Sequence, residues 1–128
     1  MSWNIAYVAA MSITEVLPAF AATTRTLDNG LTVVVREDHS APVVAVVTHV
    51  KAGYFDEPDS LIGISHVLEH MYFKGTATRG AGEIARETKG AGGYLNAGTI
   101  YDHTSYYTVL PASGFARGME IQADAYGQ

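Results

Sequence analysis

The sequence predicts an α+β fold, in which helices pack on one side of a mostly antiparallel sheet. Three observations lead to this fold class. Strand-like runs flank Asp28-Asn29-Gly30, valines crowd Ala41–Lys51, and a helical pattern of apolar residues follows at Leu61–Phe73. With 128 residues and 48% hydrophobic content, the chain is long enough for one globular core and one domain.

The predicted elements begin at residue 24. Thr24–Leu27 and Leu31–Glu37 are expected to pair as a hairpin, because Asn29 and Gly30 tolerate the positive φ of a tight turn. Ala41–Lys51 is predicted as a third strand that is covered on both faces or nearly so, because it carries valine on both. The remaining predictions are a helix at Leu61–Phe73 capped by Asp59 or Ser60, a helix at Gly80–Lys89, strands at Tyr94–Thr99 and Ser105–Leu110, and a last helix at Ala112–Gln128.

The first 22 residues differ in composition from the rest. Between Trp3 and Phe20 the chain is mostly apolar, Glu15 is its one charged side chain, and Ala19-Phe20-Ala21 fits a signal-peptide cleavage site. We interpret residues 1–22 as a signal peptide and residues 23–128 as the domain, which places the protein in the periplasm or outside the cell. No Lys or Arg precedes the apolar stretch, so a mistranslated or extended start is the alternative. A membrane span, which needs about 20 apolar residues, is not expected.

Charge and composition exclude several classes of function. The formal net charge is −5 and no basic patch occurs, so we expect no nucleic-acid partner. The sequence has no cysteine, which excludes disulfides and thiolate metal sites. Histidine and carboxylate side chains are therefore the strong metal ligands that this chain offers.

The segment Gly63–His70 contains two histidines in the order His-x-x-Glu-His, which is typical of the inverted zinc metallopeptidases. On a helix, His66, Glu69 and His70 fall within one narrow sector that can hold a metal ion. The opposite face, which we expect to enter the core, carries Ile64, Val67, Leu68 and Met71.

The spacing of the two histidines has a chemical reason. Imidazoles one helical turn apart can direct ring nitrogens at one zinc ion at about 2.0–2.1 Å, and a catalytic zinc needs a third protein ligand and an open position for water. Glu69 is then the base, since it lies beside His70 and one turn from His66, where it can accept a proton from the activated water. A surface helix that carries these residues by chance is the alternative for the bare pattern.

Blocks of sequence from Thr24 to the end of the chain resemble the start of a pitrilysin-family peptidase, the family of insulin-degrading enzyme and the mitochondrial processing peptidase. The resemblance implies that His66 and His70 bind Zn²⁺ and that Glu69 is the catalytic base. It also implies that the protein hydrolyses peptide bonds in extended or unfolded peptides. The blocks are Leu27–Val35, Lys51–Glu57, Gly63–Thr76, Asn96–Thr99 and Tyr106-Tyr107.

The same resemblance implies a substrate site at Asn96, Ala97 and Gly98. In the family the corresponding strand lies at the sheet edge beside the zinc, and the peptide pairs with it as an added strand. Ala97 and Gly98 let a second backbone approach closely, and the Asn96 amide can bond to it. Without the resemblance, a loose turn of small residues is the simpler interpretation.

The third zinc ligand implied by the resemblance is a glutamate on a later helix, beyond the end of this chain. We therefore expect an incomplete pitrilysin-like N-terminal domain that is inactive alone, with a homologous domain or subunit closing over the site. A catalytically silent partner subunit and an inactive fragment are the alternatives, although silent partners commonly lack motif residues that are present here. Other polar candidates are interpreted as solvated residues rather than ligands: Glu83, Glu87, Asp102, His103, Glu120 and Asp124.

Overall fold

The computed structural model describes residues 3–8 and 22–126, which form a sheet with helices packed against it. The elements in chain order are β1 Trp3–Val8, β2 Thr23–Thr26, β3 Thr32–Val35, β4 Val43–Val50, α1 Ile64–Tyr72, α2 Glu83–Gly90, β5 Tyr94–Thr99, β6 Thr104–Pro111 and α3 Phe115–Tyr126. The strand order is β2-β3-β1-β4-β6-β5, with β1 and β3 parallel and the other neighbours antiparallel. The predicted α+β class is confirmed.

The β2–β3 hairpin forms at the predicted turn. Gly30 has φ +85°, a left-handed conformation that glycine adopts without strain. The side-chain oxygen of Asn29 accepts a hydrogen bond from the Leu31 N–H at 3.0 Å. Thr26 pairs with Thr32 on the first rung, so turn chemistry sets the register of both strands.

Strand β4 is buried on one face and partly exposed on the other, so the prediction that both faces are covered, or nearly so, holds fully for one face only. Val44 and Val46 are buried and lie opposite Leu110 and Thr108 of β6, whereas Val43 is 41% exposed. The helices pack against the face that carries Val44 and Val46. Valine occurs on both faces because it is favoured in extended backbone whether or not it is covered.

Leu110 of β6 lies at the centre of the core, where it is 1% exposed. It packs against Gly93 and Gly118, and a Cβ added at either position would collide with its side chain. The missing side chains let α3 and the start of β5 approach the sheet closely. Ile84 and Ile121, buried on α2 and α3, complete the helical side of this core.

Strand β1 lies between β3 and β4, an element that we do not predict from the sequence. It falls within residues 1–22, and residues 9–21 lie outside the described ranges. The signal peptide therefore stays a prediction. In the described part of the chain, no helix has the length and apolar character that a membrane span requires.

Candidate metal centre

The start of α1 is held by Glu57. Its carboxylate accepts hydrogen bonds from the N–H groups of Gly63 at 2.6 Å and Ser65 at 2.8 Å. These bonds, the one from Gly63 first, hold the pKa of Glu57 below its ordinary value. The prediction that Asp59 or Ser60 caps the helix is wrong, because Gly63 turns the chain at φ +91° before α1 begins.

The face of α1 that contacts the sheet is polar except for Tyr72, whose ring lies 4.8 Å from that of Tyr106 on β6. Ser65 and Glu69 are buried, whereas His66 and His70 are exposed. Ser65 and Glu69, one turn apart, lie between the histidines and the apolar stripe, on the side of α1 that contacts the sheet. The prediction that the apolar stripe enters the core is therefore wrong for three residues, which are about half exposed: Val67 54%, Leu68 58% and Met71 53%.

The two motif histidines converge on one point in space. The Nε2 atoms of His66 and His70 are 3.1 Å apart, and their ring centroids are 4.7 Å apart. Two nitrogens bound at about 2.0–2.1 Å to one tetrahedral zinc are about 3.3–3.4 Å apart, so the pair fits such an ion. In the part of the chain that the structure describes, no group of three or more His, Cys, Asp or Glu could hold a metal. The described residues therefore offer two ligands.

Glu69 joins the motif helix to the edge of the sheet. Its side chain is buried on the side of α1 that contacts the sheet, and the residue is 8% exposed. Oγ1 of Thr99, the last residue of β5, donates a hydrogen bond to Oε2 of Glu69 at 2.6 Å. This short bond brings the end of β5 beside the motif helix.

Strand β5 is the outermost strand of the sheet and pairs with β6. The Ile100 N–H, just past the strand, donates to the His103 carbonyl at 2.9 Å. Because hydrogen-bonded pairs alternate along an antiparallel ladder, even-numbered residues of β5 bond to β6, and odd-numbered residues direct their N–H and C=O outward. Among the latter is Ala97, whose N–H donates to the Asn96 side-chain oxygen at 3.0 Å. The edge can therefore accept another extended backbone.

Arg79 organises the acidic residues downstream, a role that we did not predict from the sequence. Its buried guanidinium contacts Glu87 at 3.1 Å, Glu120 at 3.3 Å and Asp124 at 2.6 Å. Hydrogen bonds from Thr76 and then Arg79 hold the pKa of Asp124 below its ordinary value. These three carboxylates are thus engaged with Arg79 rather than simply solvated. The i, i+4 spacing of two of them on α3 is the signal that could have indicated a shared cation.

Residues 32–128 match the family model described as Insulinase (Peptidase family M16). This chain belongs to the insulinase family. YmxG of Bacillus subtilis, named an uncharacterized zinc protease, is 35% identical over 101 residues, which cover 79% of this chain and 25% of that protein. The probable mitochondrial-processing peptidase subunit beta of Arabidopsis thaliana is 36% identical over 110 residues, or 86% of this chain and 21% of that protein.

Solved structures share the fold of this insulinase-family chain. A protease from Helicobacter pylori superposes with a TM-score of 0.81 at 33% identity, over 84% of this chain and 26% of that one. Pitrilysin superposes with a TM-score of 0.76 at 28% identity, over 84% and 12%. The chain spans about a quarter of the length of the first curated relatives it matches. The predicted family and its N-terminal, pitrilysin-like extent are confirmed.

The family match covers segments, and the individual residue roles stay predictions. The matched region contains His66, Glu69 and His70 on α1 and the strand with Asn96, Ala97 and Gly98. The structure brings the two histidines together and links Glu69 to the end of β5. It adds Glu57, Arg79 and Thr99 as residues that hold these elements. The partners of Arg79 and Thr99 lie far away in sequence, and Glu57 lies outside the helix that it caps.

Proposed function

We propose that this chain is the motif-bearing part of a zinc-dependent endopeptidase that hydrolyses extended or unfolded peptides. The observation that carries the proposal is the hydrogen bond from Thr99 to Glu69, at 2.6 Å. It joins the helix with the histidine pair to the edge strand, so two histidines, a carboxylate and the outward main-chain groups of β5 lie close together. Membership of a peptidase family and the zinc-protease names of relatives support this function.

His66 and His70 would hold Zn²⁺ through their Nε2 atoms, which already converge. The third ligand would come from outside the described residues, either from further chain or from a homologous subunit that closes over the site. When bound, zinc would polarise the peptide carbonyl and acidify a water molecule. Both rings are exposed on α1, so the ion can reach them.

Glu69 would act as general base. Its Oε2 is held by Thr99, and its Oε1 accepts no hydrogen bond from a described residue, so this oxygen is free to take a proton from water. The same atom would then deliver the proton to the leaving amine. Burial of the side chain and the bond from Thr99 would limit rotation of the carboxylate.

The peptide would lie along β5 as an added strand. The outward groups of Ala97 would bond its backbone, and a peptide carbonyl would replace the Asn96 oxygen that now accepts the Ala97 N–H. Gly98 bears no side chain, and a Cβ there would meet open space. Such binding depends on main-chain groups, so we expect substrates to have an extended conformation in common rather than a particular sequence.

The test is a set of variants in the zinc-loaded, full-length protein with an unfolded peptide as substrate. Glu69→Gln should keep zinc and lower kcat by at least about 100-fold, because the amide cannot accept the proton. His66→Ala or His70→Ala should lose the metal. His39→Ala is the matched control, since this largely exposed histidine contacts Glu37 instead, and it should change neither quantity.

Two results would contradict the proposal. Loss of zinc from Glu69→Gln, with the rate retained when zinc is added back, would mean that the roles of Glu69 and the histidines must be exchanged. A zinc-loaded, full-length wild-type protein that binds unfolded peptides but cleaves none would identify a silent partner subunit. This second candidate is favoured by the lack of a third metal ligand among the described residues.

A further inference from the structure

A chain of hydroxyl groups lies beneath the motif helix and ends on Glu69. Thr104 of β6 is 3% exposed, and its Oγ1 donates to the Ala52 carbonyl at 2.9 Å. The same hydroxyl lies 3.3 Å from Oγ1 of Thr99, its partner across the ladder. Thr99 in turn donates to Glu69 at 2.6 Å. The carboxylate is therefore linked through two threonines to the sheet.

The direction of these bonds follows from the number of protons available. An ionised carboxylate can accept hydrogen bonds but cannot donate, so the single hydroxyl proton of Thr99 must point to Glu69. The Thr99 oxygen is then an acceptor, and it shares the one hydroxyl proton of Thr104 with the Ala52 carbonyl, which lies closer at 2.9 Å against 3.3 Å. Burial of the Tyr106 hydroxyl, and after it the negative charge of Glu69, raise the pKa of Tyr106 to about 12, so this neighbour stays neutral.

We propose that Thr99 is a positioning residue for the general base: its hydroxyl holds Oε2 of Glu69 so that Oε1 faces the water to be deprotonated. The proposal rests on the proposed function, because it assigns a role toward the reaction of Glu69. Thr99 directly follows Asn96, Ala97 and Gly98 on the strand that would bind substrate. The bond therefore also places the base in a constant position relative to the bound peptide backbone.

Removal of the hydroxyl would affect turnover rather than binding. The carboxylate would be left buried without its donor, a state that costs free energy and is relieved when the side chain rotates away from its working position. The outward main-chain groups of β5 and the Nε2 atoms of His66 and His70 do not involve the Thr99 hydroxyl. Peptide affinity and zinc content should thus be unchanged.

The experiment compares Thr99→Val, Thr99→Ser and Thr108→Val in the zinc-loaded, full-length protein. Thr99→Val keeps the shape without the hydroxyl, and we expect kcat to fall about ten- to 100-fold with KM and zinc content within about twofold of wild type. Thr99→Ser restores the donor and should recover most of the rate.

Thr108 is the matched control, a buried strand threonine whose hydroxyl accepts a hydrogen bond from Gln122 of α3, away from Glu69. Thr108→Val should leave kcat unchanged.

The outcomes separate this proposal from the proposed function. Absence of hydrolysis by the zinc-loaded wild type would reject the function itself. An active wild type whose kcat is unchanged by Thr99→Val would reject the role of Thr99 while the function stands. Loss of zinc in Thr99→Val, or a loss of rate that Thr99→Ser does not recover, would show a purely structural role. Thr99→Ala, which also lacks the hydroxyl and needs less space, gives the same comparison if the valine variant does not fold.

Discussion

At the scale of single residues, Glu57 before α1 and Glu69 on α1 have different roles because their carboxylates contact different groups. Glu57 faces main-chain N–H groups at the start of the helix, which are donors without partners inside the helix. Glu69 faces the threonine hydroxyl and keeps one oxygen without a bond from the described residues. A carboxylate with both oxygens engaged supports structure, and one with a free oxygen can exchange protons.

Glu57→Gln should lower the thermal stability of the protein at about pH 7, because the amide has one acceptor oxygen where the carboxylate uses both oxygens for the Gly63 and Ser65 N–H groups. The folded pKa of Glu57 lies below its ordinary value of 4.5, so the carboxylate stabilises the fold above that value. This contribution is lost as the pH falls through the lowered folded pKa. The difference in Tm between variant and wild type should therefore shrink as the pH falls below 4.5 and through the lowered folded pKa.

Circular dichroism melts across this pH range provide the measurement. Glu37→Gln is the control, since that glutamate is largely exposed beside His39 and should not change Tm. An unchanged Tm in Glu57→Gln at neutral pH, or a difference that persists at acid pH, would contradict the assigned cap.

At the scale of elements, local chemistry predicts some features and tertiary contacts decide others. The turn at Gly30 and the helix that carries the motif follow from neighbours in sequence, and both are observed. The buried face of α1 does not, because the partner of Glu69 is Thr99, 30 residues later. Arg79 likewise meets Asp124 at a separation of 45 residues. Apolar periodicity alone would place the other face of α1 inward.

The edge strand can be tested with proline at two neighbouring positions. Ala97→Pro removes an N–H that points away from the sheet, and edge positions of this kind tolerate proline. We expect peptide affinity to fall about five- to tenfold, the equivalent of one main-chain hydrogen bond, with zinc content unchanged. Isothermal titration calorimetry with a peptide, in the Glu69→Gln background so that the peptide is not cleaved, measures the peptide affinity.

Gly98→Pro is the comparison, because the Gly98 N–H lies on the side of β5 that bonds to β6. This substitution should destabilise the sheet itself, which a thermal melt detects. Equal peptide affinity in a folded Ala97→Pro protein would exclude strand addition at this edge, and lost zinc would show that β5 supports the metal site.

At the scale of the whole molecule, the described residues present an apolar surface beside the candidate site. Leu68 and Met71 on α1 are more than half exposed and line a groove of about 400 Å³ that reaches Tyr126 at the end of α3. Extended apolar surface of this kind usually marks a contact with another chain or segment. The relatives are about four times longer than the region they share with this chain, so they have ample sequence to cover the equivalent face.

The 128-residue chain on its own should bind zinc weakly and hydrolyse no peptide measurably. The physical reason is the ligand count: His66 and His70 converge, but no third histidine or carboxylate joins them among the described residues. A catalytic zinc site needs three protein ligands, and each missing ligand leaves a position to exchangeable water. Calorimetric zinc titration with a parallel peptide assay measures both quantities, and the His66→Ala, His70→Ala double variant gives the baseline. Tight one-to-one zinc binding together with hydrolysis would mean that a carboxylate within this chain completes the site.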